Sequence, residues 1–224
     1  MARKPLVPPD NRDYRYGNEM ALKLAGQKLA SINIEEQCRR ADADYKLVNG
    51  KETAVVRYLN IPYAITFPEL EVISIEDRQP AQPRDKLLIL HYLLNADGIP
   101  LTGRSITYKE VEGGATYYPT FQKRAVKPLL DNFGGEPNKL IAAANSLGGI
   151  KADYGDVAVS INAFSRVPLT LVFWYGDDEL PPAGSILFDS SIDNYLAAED
   201  ITVLCEIIAW KLVKAAGEPE KKPS

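Results

Sequence analysis

The chain has 224 residues, of which 46% are hydrophobic and 25% charged, proportions typical of a folded globular protein. The formal net charge of −4 argues against a general nucleic-acid-binding surface, which is normally basic. No stretch approaches the ~20 apolar residues of a membrane span, and no signal peptide is recognisable. We therefore expect a cytoplasmic protein with no membrane and no nucleic-acid partner.

Two cysteines, Cys38 and Cys205, limit the metal chemistry of the chain. Two thiolates cannot build a four-cysteine zinc site or hold an iron–sulphur cluster alone. Cys205 shares an apolar helical face, which predicts a packed thiol. Cys38 precedes Arg39 and Arg40, which could lower the pKa of its thiol, so its reactivity is left open.

The N-terminal half predicts helices followed by strands. Residues 1–17 are rich in proline, arginine and tyrosine and indicate an extended arm, whereas 18–31 and 34–40 have helical patterns. Strands are predicted at 54–59, 61–67 and 72–75, where β-branched and aromatic residues form a small meander. A helix from about 83 to 95 is apolar on every face and should be buried on nearly all sides.

The C-terminal half continues the same mixture. We predict a strand at 105–111, a helix from Pro119 to 134 that Pro128 should kink, and a helix at 138–147. Alternating apolar residues at 157–163 and the β-prone run 168–175 indicate an antiparallel hairpin. A last helix starts near Ala198. The expected fold is α+β, with an antiparallel sheet of hairpins and about five to six helices in a single domain, 18–216, before a disordered tail, 217–224.

His91 is the only histidine, so chemistry that needs an imidazole near neutral pH must use it. Within its apolar helix, it could be an axial ligand to a metal or tetrapyrrole, a hydrogen-bonded core histidine, or a general acid or base. Asn95, four residues on, shares its helical face and is a candidate to orient the ring. Aromatic side chains to flank a macrocycle are expected from Tyr92, Tyr117 and Trp174.

Two clusters of charged residues, one acidic and one basic, are further candidates for a binding site. Carboxylates follow the hairpin at Asp177, Asp178 and Glu179, with more downstream at Asp189, Asp193, Glu199 and Asp200. A solvated loop and the start of a helix explain most of them, and the alternative is that they bind a divalent cation. Asp177 is the strongest metal-ligand candidate besides His91, and could pair with Arg124. The basic face around Arg124, with Lys123, Lys127, Tyr117, Tyr118 and Phe121, could bind anionic groups or simply be solvated.

Several short segments resemble a prokaryotic family of unknown function, over about residues 85–204. The matching pieces are Leu90-His91-Tyr92-Leu93-Leu94, Pro100-Leu101-Thr102-Gly103, Phe121 with Arg124, Pro128-Leu129, Trp174-Tyr175-Gly176-Asp177-Asp178-Glu179, Ile186-Leu187-Phe188-Asp189-Ser190-Ser191, and Tyr195-Leu196 with Glu199-Asp200. The resemblance implies occurrence mainly in anaerobes, fusion of some members to a four-cysteine iron–sulphur domain, and a link to low-potential redox or corrinoid metabolism. This chain lacks that four-cysteine module.

Three hypotheses for the function follow. The first is a non-catalytic protein that binds a tetrapyrrole, cobalamin or haem, for anaerobic redox or methyl-transfer metabolism, between the His91 helix and the second hairpin. The second is an adaptor or assembly protein for an iron–sulphur or corrinoid partner, with contacts from the exposed tyrosines. The third is a divalent-metal enzyme that uses Asp177 and Asp178. The candidate residues of the first are His91, Tyr92, Tyr117, Phe121, Arg124 and Trp174, and those of the second are Tyr14, Tyr16, Tyr117 and Tyr118.

Overall fold

The computed structural model describes residues 15–217 of the chain and confirms the α+β class with antiparallel strands. The predicted arm and tail lie almost entirely outside the described residues. Among residues 15–217, no helix combines the length and apolar character that crossing a membrane requires. The helices are α1 (Arg15–Leu29), α2 (Ile34–Arg40), α3 (Pro83–Asn95), α4 (Gly114–Phe121), α5 (Lys127–Phe133), α6 (Asn138–Asn145) and α7 (Ala198–Gly217).

The first sheet is the predicted meander, with one more strand than expected. Its strands, in spatial as well as chain order, are β1 (Asp44–Val48), β2 (Lys51–Tyr58), β3 (Ile61–Thr66) and β4 (Glu71–Ser74). Asn49 and Gly50 both have positive φ, which is the conformation that a two-residue hairpin turn requires. The asparagine–glycine pair therefore fixes the register of β1 against β2.

The second sheet contains the predicted hairpin and places it centrally. Its strands are β5 (Ser105–Thr107), β6 (Ile150–Ala152), β7 (Val157–Phe164), β8 (Val167–Trp174) and β9 (Ala183–Asp189), in the order β5-β9-β8-β7-β6. Strand β7 pairs antiparallel with β8, as the alternation predicted. The two sheets meet where the backbone N–H of Leu59 donates to the carbonyl of Ala163 at 2.9 Å.

Helix α3 lies in the hydrophobic core that spans both sheets. Leu88, Ile89, Leu90 and Leu93 are almost fully buried, as the apolar pattern predicted. The last carbonyls of α3 accept hydrogen bonds from the Gln37 side-chain amide, at 2.7 Å to Leu93 and 2.9 Å to Ala96. This buried amide satisfies carbonyls that a helix end otherwise leaves without partners.

The predicted helix around Pro128 is longer than expected and widens into a π-turn. It begins at Gly114 rather than at Pro119, and Gln122–Val126 joins α4 to α5 as a π-helix. Pro128 has no N–H to donate to the carbonyl four residues back, and the Lys127 N–H bonds instead to the carbonyl of Gln122, five residues back. The predicted kink therefore takes the form of one wide turn, which carries Arg124.

A buried carboxylate ties three helical segments together. Glu206 of α7 is 3% exposed, and it accepts hydrogen bonds from Arg84 of α3 and from Arg124 of the π-turn, the latter at 2.6 Å. A charge buried in this way is tolerated only when opposite charges and donors surround it. The two guanidinium groups meet that requirement and fix where α3 and the π-turn lie against α7.

We expect Glu206→Gln to lower the free energy of unfolding by about 3–5 kcal/mol, because both guanidinium groups would keep their positive charges without the buried carboxylate. Urea unfolding followed by circular dichroism measures the loss. Glu199→Gln, an exposed change on the same helix, is the matched control and should cost less than about 1 kcal/mol. Equal losses in the two variants would contradict the role given to Glu206.

Candidate functional site

His91 and Asp200 form a close pair between α3 and α7. The Nδ1 atom of His91 lies 2.9 Å from Oδ1 and 3.0 Å from Oδ2 of Asp200, which is in the first turn of α7. The two side chains are 23% and 14% exposed, so the pair is shielded but still reaches the surface. The prediction that Asn95 orients the ring is not what the structure shows, because the tertiary neighbour Asp200 takes that position.

The pairing defines what the imidazole can do. An ionised carboxylate only accepts hydrogen bonds, so Nδ1 of His91 carries the proton and donates to Asp200. In the neutral ring, the lone pair is then on Nε2, the atom that binds a metal ion or accepts a proton. A carboxylate on the far nitrogen is also the usual support of a ligating or basic histidine.

Partly buried apolar side chains border the pair. On α3, Leu87 and Leu94 lie four residues before and three residues after His91, and helical spacing puts them on its face. On α7, Val203 and Ile207 follow Asp200 by one and two turns and are also half-buried. The imidazole is therefore set in an apolar stripe that could bind the face of a flat ligand.

Two of the predicted ligand-lining residues belong to the core instead. The Tyr92 ring stacks on Phe164 with centroids 4.1 Å apart, and its hydroxyl donates to the Ala41 carbonyl. Phe121 stacks on Tyr108 with centroids 3.9 Å apart. Both predicted residues are about 1% exposed, so they hold helices to the core and have no surface to offer a ligand beside His91.

The remaining predicted residues are spread over other parts of the fold. Tyr117 on α4 and Trp174 at the end of β8 are 43% and 42% exposed. Arg124 contacts Glu206. Tyr14 and the side chain of Tyr16 lie outside the described residues. Among the described residues, no hydrogen bond or aromatic ring contact joins Tyr117 or Trp174 to His91, whereas Asp200 contacts the ring directly.

Asp177 has a local structural role. It does not pair with Arg124, which was predicted; its Oδ1 accepts hydrogen bonds from the backbone N–H groups of Leu180 at 2.7 Å and Glu179 at 2.9 Å. These bonds lower the pKa of Asp177. Across residues 15–217, no three histidine, cysteine, aspartate or glutamate side chains are grouped to hold a metal ion. Asp177 therefore closes the loop after β8.

Asp189 is a structural centre that the sequence indicated only as one acid among many. Its carboxylate accepts bonds from the Ser191 hydroxyl and backbone N–H and from the backbone N–H groups of Thr102 and Gly103. Burial raises the pKa of Asp189, but these bonds outweigh it and hold the pKa at about 2. The residue fastens the 102–103 turn to the end of β9.

Because the pKa of Asp189 is low in the folded protein, the free energy of unfolding should depend on pH in the acidic range. A carboxyl group whose pKa falls from 3.8 to about 2 on folding stabilises the fold above pH 4, and this stabilisation is lost as the pH falls toward 2. We expect Asp189→Asn to lower the free energy of unfolding by roughly 2 kcal/mol at pH 7. The variant should also lack the fall in the free energy of unfolding that the wild type shows between pH 4 and pH 2. Urea unfolding at each pH measures it, with exposed Asp178→Asn as control. An unchanged pH dependence in Asp189→Asn would contradict the assignment.

Both cysteines are buried free thiols. Burial and the nearby carboxylates of Asp44, Glu52 and Glu35 raise the pKa of Cys38 to about 12. The suggestion that the adjacent arginines lower this pKa is therefore wrong, since Arg39 and Arg40 both pair with Glu36. Burial also raises the pKa of Cys205. Neither thiol has the environment of a reactive cysteine.

We expect both thiols to be inert in the native protein. For Cys38, a pKa of about 12 in place of 9.0 reduces the thiolate fraction at pH 8 by about 1000-fold. Ellman's reagent should detect no thiol in the folded protein and two after denaturation. A thiol that reacts rapidly in the native protein, and disappears in Cys38→Ser, would refute this.

A cavity of about 330 Å³ lies apart from His91, between the end of α1 and the first sheet. Its walls combine apolar side chains, from Leu29, Ile32, Phe67 and Leu70, with polar groups that include Lys51 and Glu52. None of the ligand residues predicted from the sequence lines this cavity. It is therefore not the pocket expected between the His91 helix and the second hairpin.

Comparison with known proteins places this fold in a family. Neither the search of curated proteins nor the search of solved structures found a match. A family model described as "Domain of unknown function (DUF3786)" matches residues 33–210, a range that contains both His91 and Asp200. That match covers most of the chain, and the chain belongs to the DUF3786 family.

Proposed function

We propose that this protein binds a cofactor non-catalytically through His91, and that the cofactor is a tetrapyrrole, either a corrinoid or haem. The observation that carries the proposal is the bond between Nδ1 of His91 and the Asp200 carboxylate, which leaves Nε2 as the ligating atom. Axial ligation of such macrocycles by one histidine is common, and a carboxylate behind the ring strengthens it as a ligand.

The residues around the pair fit one face of a macrocycle. Leu87 and Leu94 on α3 and Val203 and Ile207 on α7 supply half-buried apolar surface beside the imidazole. They replace Tyr92 and Phe121, whose rings are already stacked in the core. The proposed site is therefore a shallow apolar face on two helices, rather than a pocket closed by the second hairpin.

Positive charge lies within reach of the same face. Arg84 is two turns before His91 on α3, about 10 Å along the helix axis, and Arg124 contacts the same Glu206 carboxylate. Guanidinium groups pair with carboxylates, and haem and other tetrapyrroles carry peripheral carboxylates.

The metabolic setting is part of the proposal. The resemblance to a family from anaerobes, some of whose members carry an iron–sulphur domain, supports a role beside low-potential redox or methyl-transfer proteins. An iron–sulphur or corrinoid protein would then be the natural partner, and it would supply the electron-transfer centre that two buried cysteines cannot build.

An absorption spectrum tests the cofactor. Protein prepared anaerobically, or incubated with haem or cobalamin, should show a stoichiometric band, with the bound molecule identified by mass spectrometry. We expect His91→Ala to abolish the band. Asp200→Asn should retain binding but weaken it by about 10–100-fold, because the ring loses its oriented carboxylate.

Asn95→Ala is the control, because Asn95 shares the helix but does not hold the ring, and its band should equal that of the wild type. Circular dichroism must show that each variant is folded. No band and no thermal stabilisation by either macrocycle would overturn the proposal. The second hypothesis, an adaptor without a ligand, would then be the better explanation.

A further inference from the structure

Two neighbouring loops at one end of the second sheet expose large apolar side chains. Residues 153–156 connect β6 to β7, and residues 174–180 comprise the last residue of β8 and the loop after it. Tyr154, Trp174, Tyr175 and Leu180 are between 42% and 67% exposed. Exposed tryptophan and tyrosine are enriched where proteins bind one another. We refer to these two loops as the acidic aromatic surface.

The loops are fastened to each other. The Tyr175 backbone N–H donates to Oδ2 of Asp156 at 2.7 Å. Gly155 has φ +53°, and a Cβ atom there would lie 2.7 Å from Cγ1 of Val172 and 3.3 Å from Cε2 of Trp174. The loop can approach the strand this closely only because residue 155 is glycine. The aromatic side chains therefore sit on a pre-formed support, which lowers the entropic cost of binding.

The charge of this surface has one sign. Its two loops contain five acidic residues, Asp153, Asp156, Asp177, Asp178 and Glu179, and no basic one. The whole chain has a formal net charge of −4, so without these five acids the remainder would sum to about +1. The two loops thus carry a net charge of −5, whereas the rest of the chain is close to neutral.

We propose that the acidic aromatic surface docks a basic segment of a partner protein, one that alternates lysine or arginine with apolar side chains. Such a segment would pair its cations with the rim acids and place its apolar side chains against Trp174 and Tyr175. A second copy of this chain would bring acids against acids in a symmetric contact. Phosphates of nucleic acid or of an anionic membrane would meet the same repulsion.

This docking surface is independent of the cofactor proposal. Among the described residues, none of those in the two loops forms a hydrogen bond or ion pair with His91 or Asp200. Loss of one property would leave the other in place, so failure of either proposal is recognisable by itself.

Fluorescence anisotropy with a labelled peptide tests the docking surface. The probe alternates lysine, leucine and arginine. We expect saturable binding that Trp174→Ala weakens at least about 10-fold, with Tyr175→Ala as a second aromatic variant should the first misfold. The Asp178→Asn/Glu179→Gln double variant should weaken binding similarly and reduce its dependence on salt. These two acids are chosen because Asp156 and Asp177 hold the loops together.

Matched controls separate docking from plain charge attraction. Leu47→Ala removes an apolar side chain that is more exposed than Trp174, on β1, and should leave the affinity unchanged. Peptides with glutamate in place of the cations, or serine in place of leucine, should bind at least about 10-fold more weakly. No binding up to millimolar peptide, or binding that both aromatic variants leave unchanged, would overturn the proposal. Self-association or binding to anionic vesicles that Trp174→Ala abolishes, without peptide binding, would also overturn it.

Discussion

The buried carboxylate of Glu206 is the constraint on which the helical half of the protein depends. Removing a charge from water is costly, and here the cost is offset by two guanidinium groups from separate segments, Arg84 on α3 and Arg124 on the π-turn. Each arginine must then remain within hydrogen-bond reach of α7. Because His91 pairs with Asp200 while Arg84 pairs with Glu206, residue numbers rise on α3 as they fall on α7. The two helices are therefore antiparallel at this interface, and two charged pairs fix their register.

The π-turn carries Arg124. Pro128 interrupts the regular hydrogen-bond ladder, and Gln122–Val126 forms one wide turn between α4 and α5. On one side of the turn, Phe121 reaches the core and stacks on Tyr108, whose hydroxyl lies 2.7 Å from Oγ1 of Thr202 on α7. The same segment thus contributes an apolar anchor and a charged one to α7.

The sequence predicted the features that local patterns determine. Alternation identified β7, and continuous apolar character identified α3 as a buried helix. It did not show that β5 pairs with β9 or that the strands form two sheets, since those contacts join residues far apart in the chain. The candidate site shows the same limit, because its contact also joins residues that are far apart in the chain. His91 was evident as the only histidine, but its partner Asp200 is 109 residues away, so the nearer Asn95 was the better guess from spacing alone.

The contrast between the two charged pairs explains why the proposed function rests on His91. The Glu206 side chain is 4% exposed and contacts two arginines, so its hydrogen bonds hold helices together. The His91–Asp200 pair is more open and has a single bond on one side of the ring. The His91 side chain is 23% exposed, and among the described residues no hydrogen bond is made to its Nε2 atom. Half-buried leucines, a valine and an isoleucine lie at helical spacing from the pair. These features are why the proposal gives His91 the role of ligand, and a single histidine makes its contribution separable by one substitution.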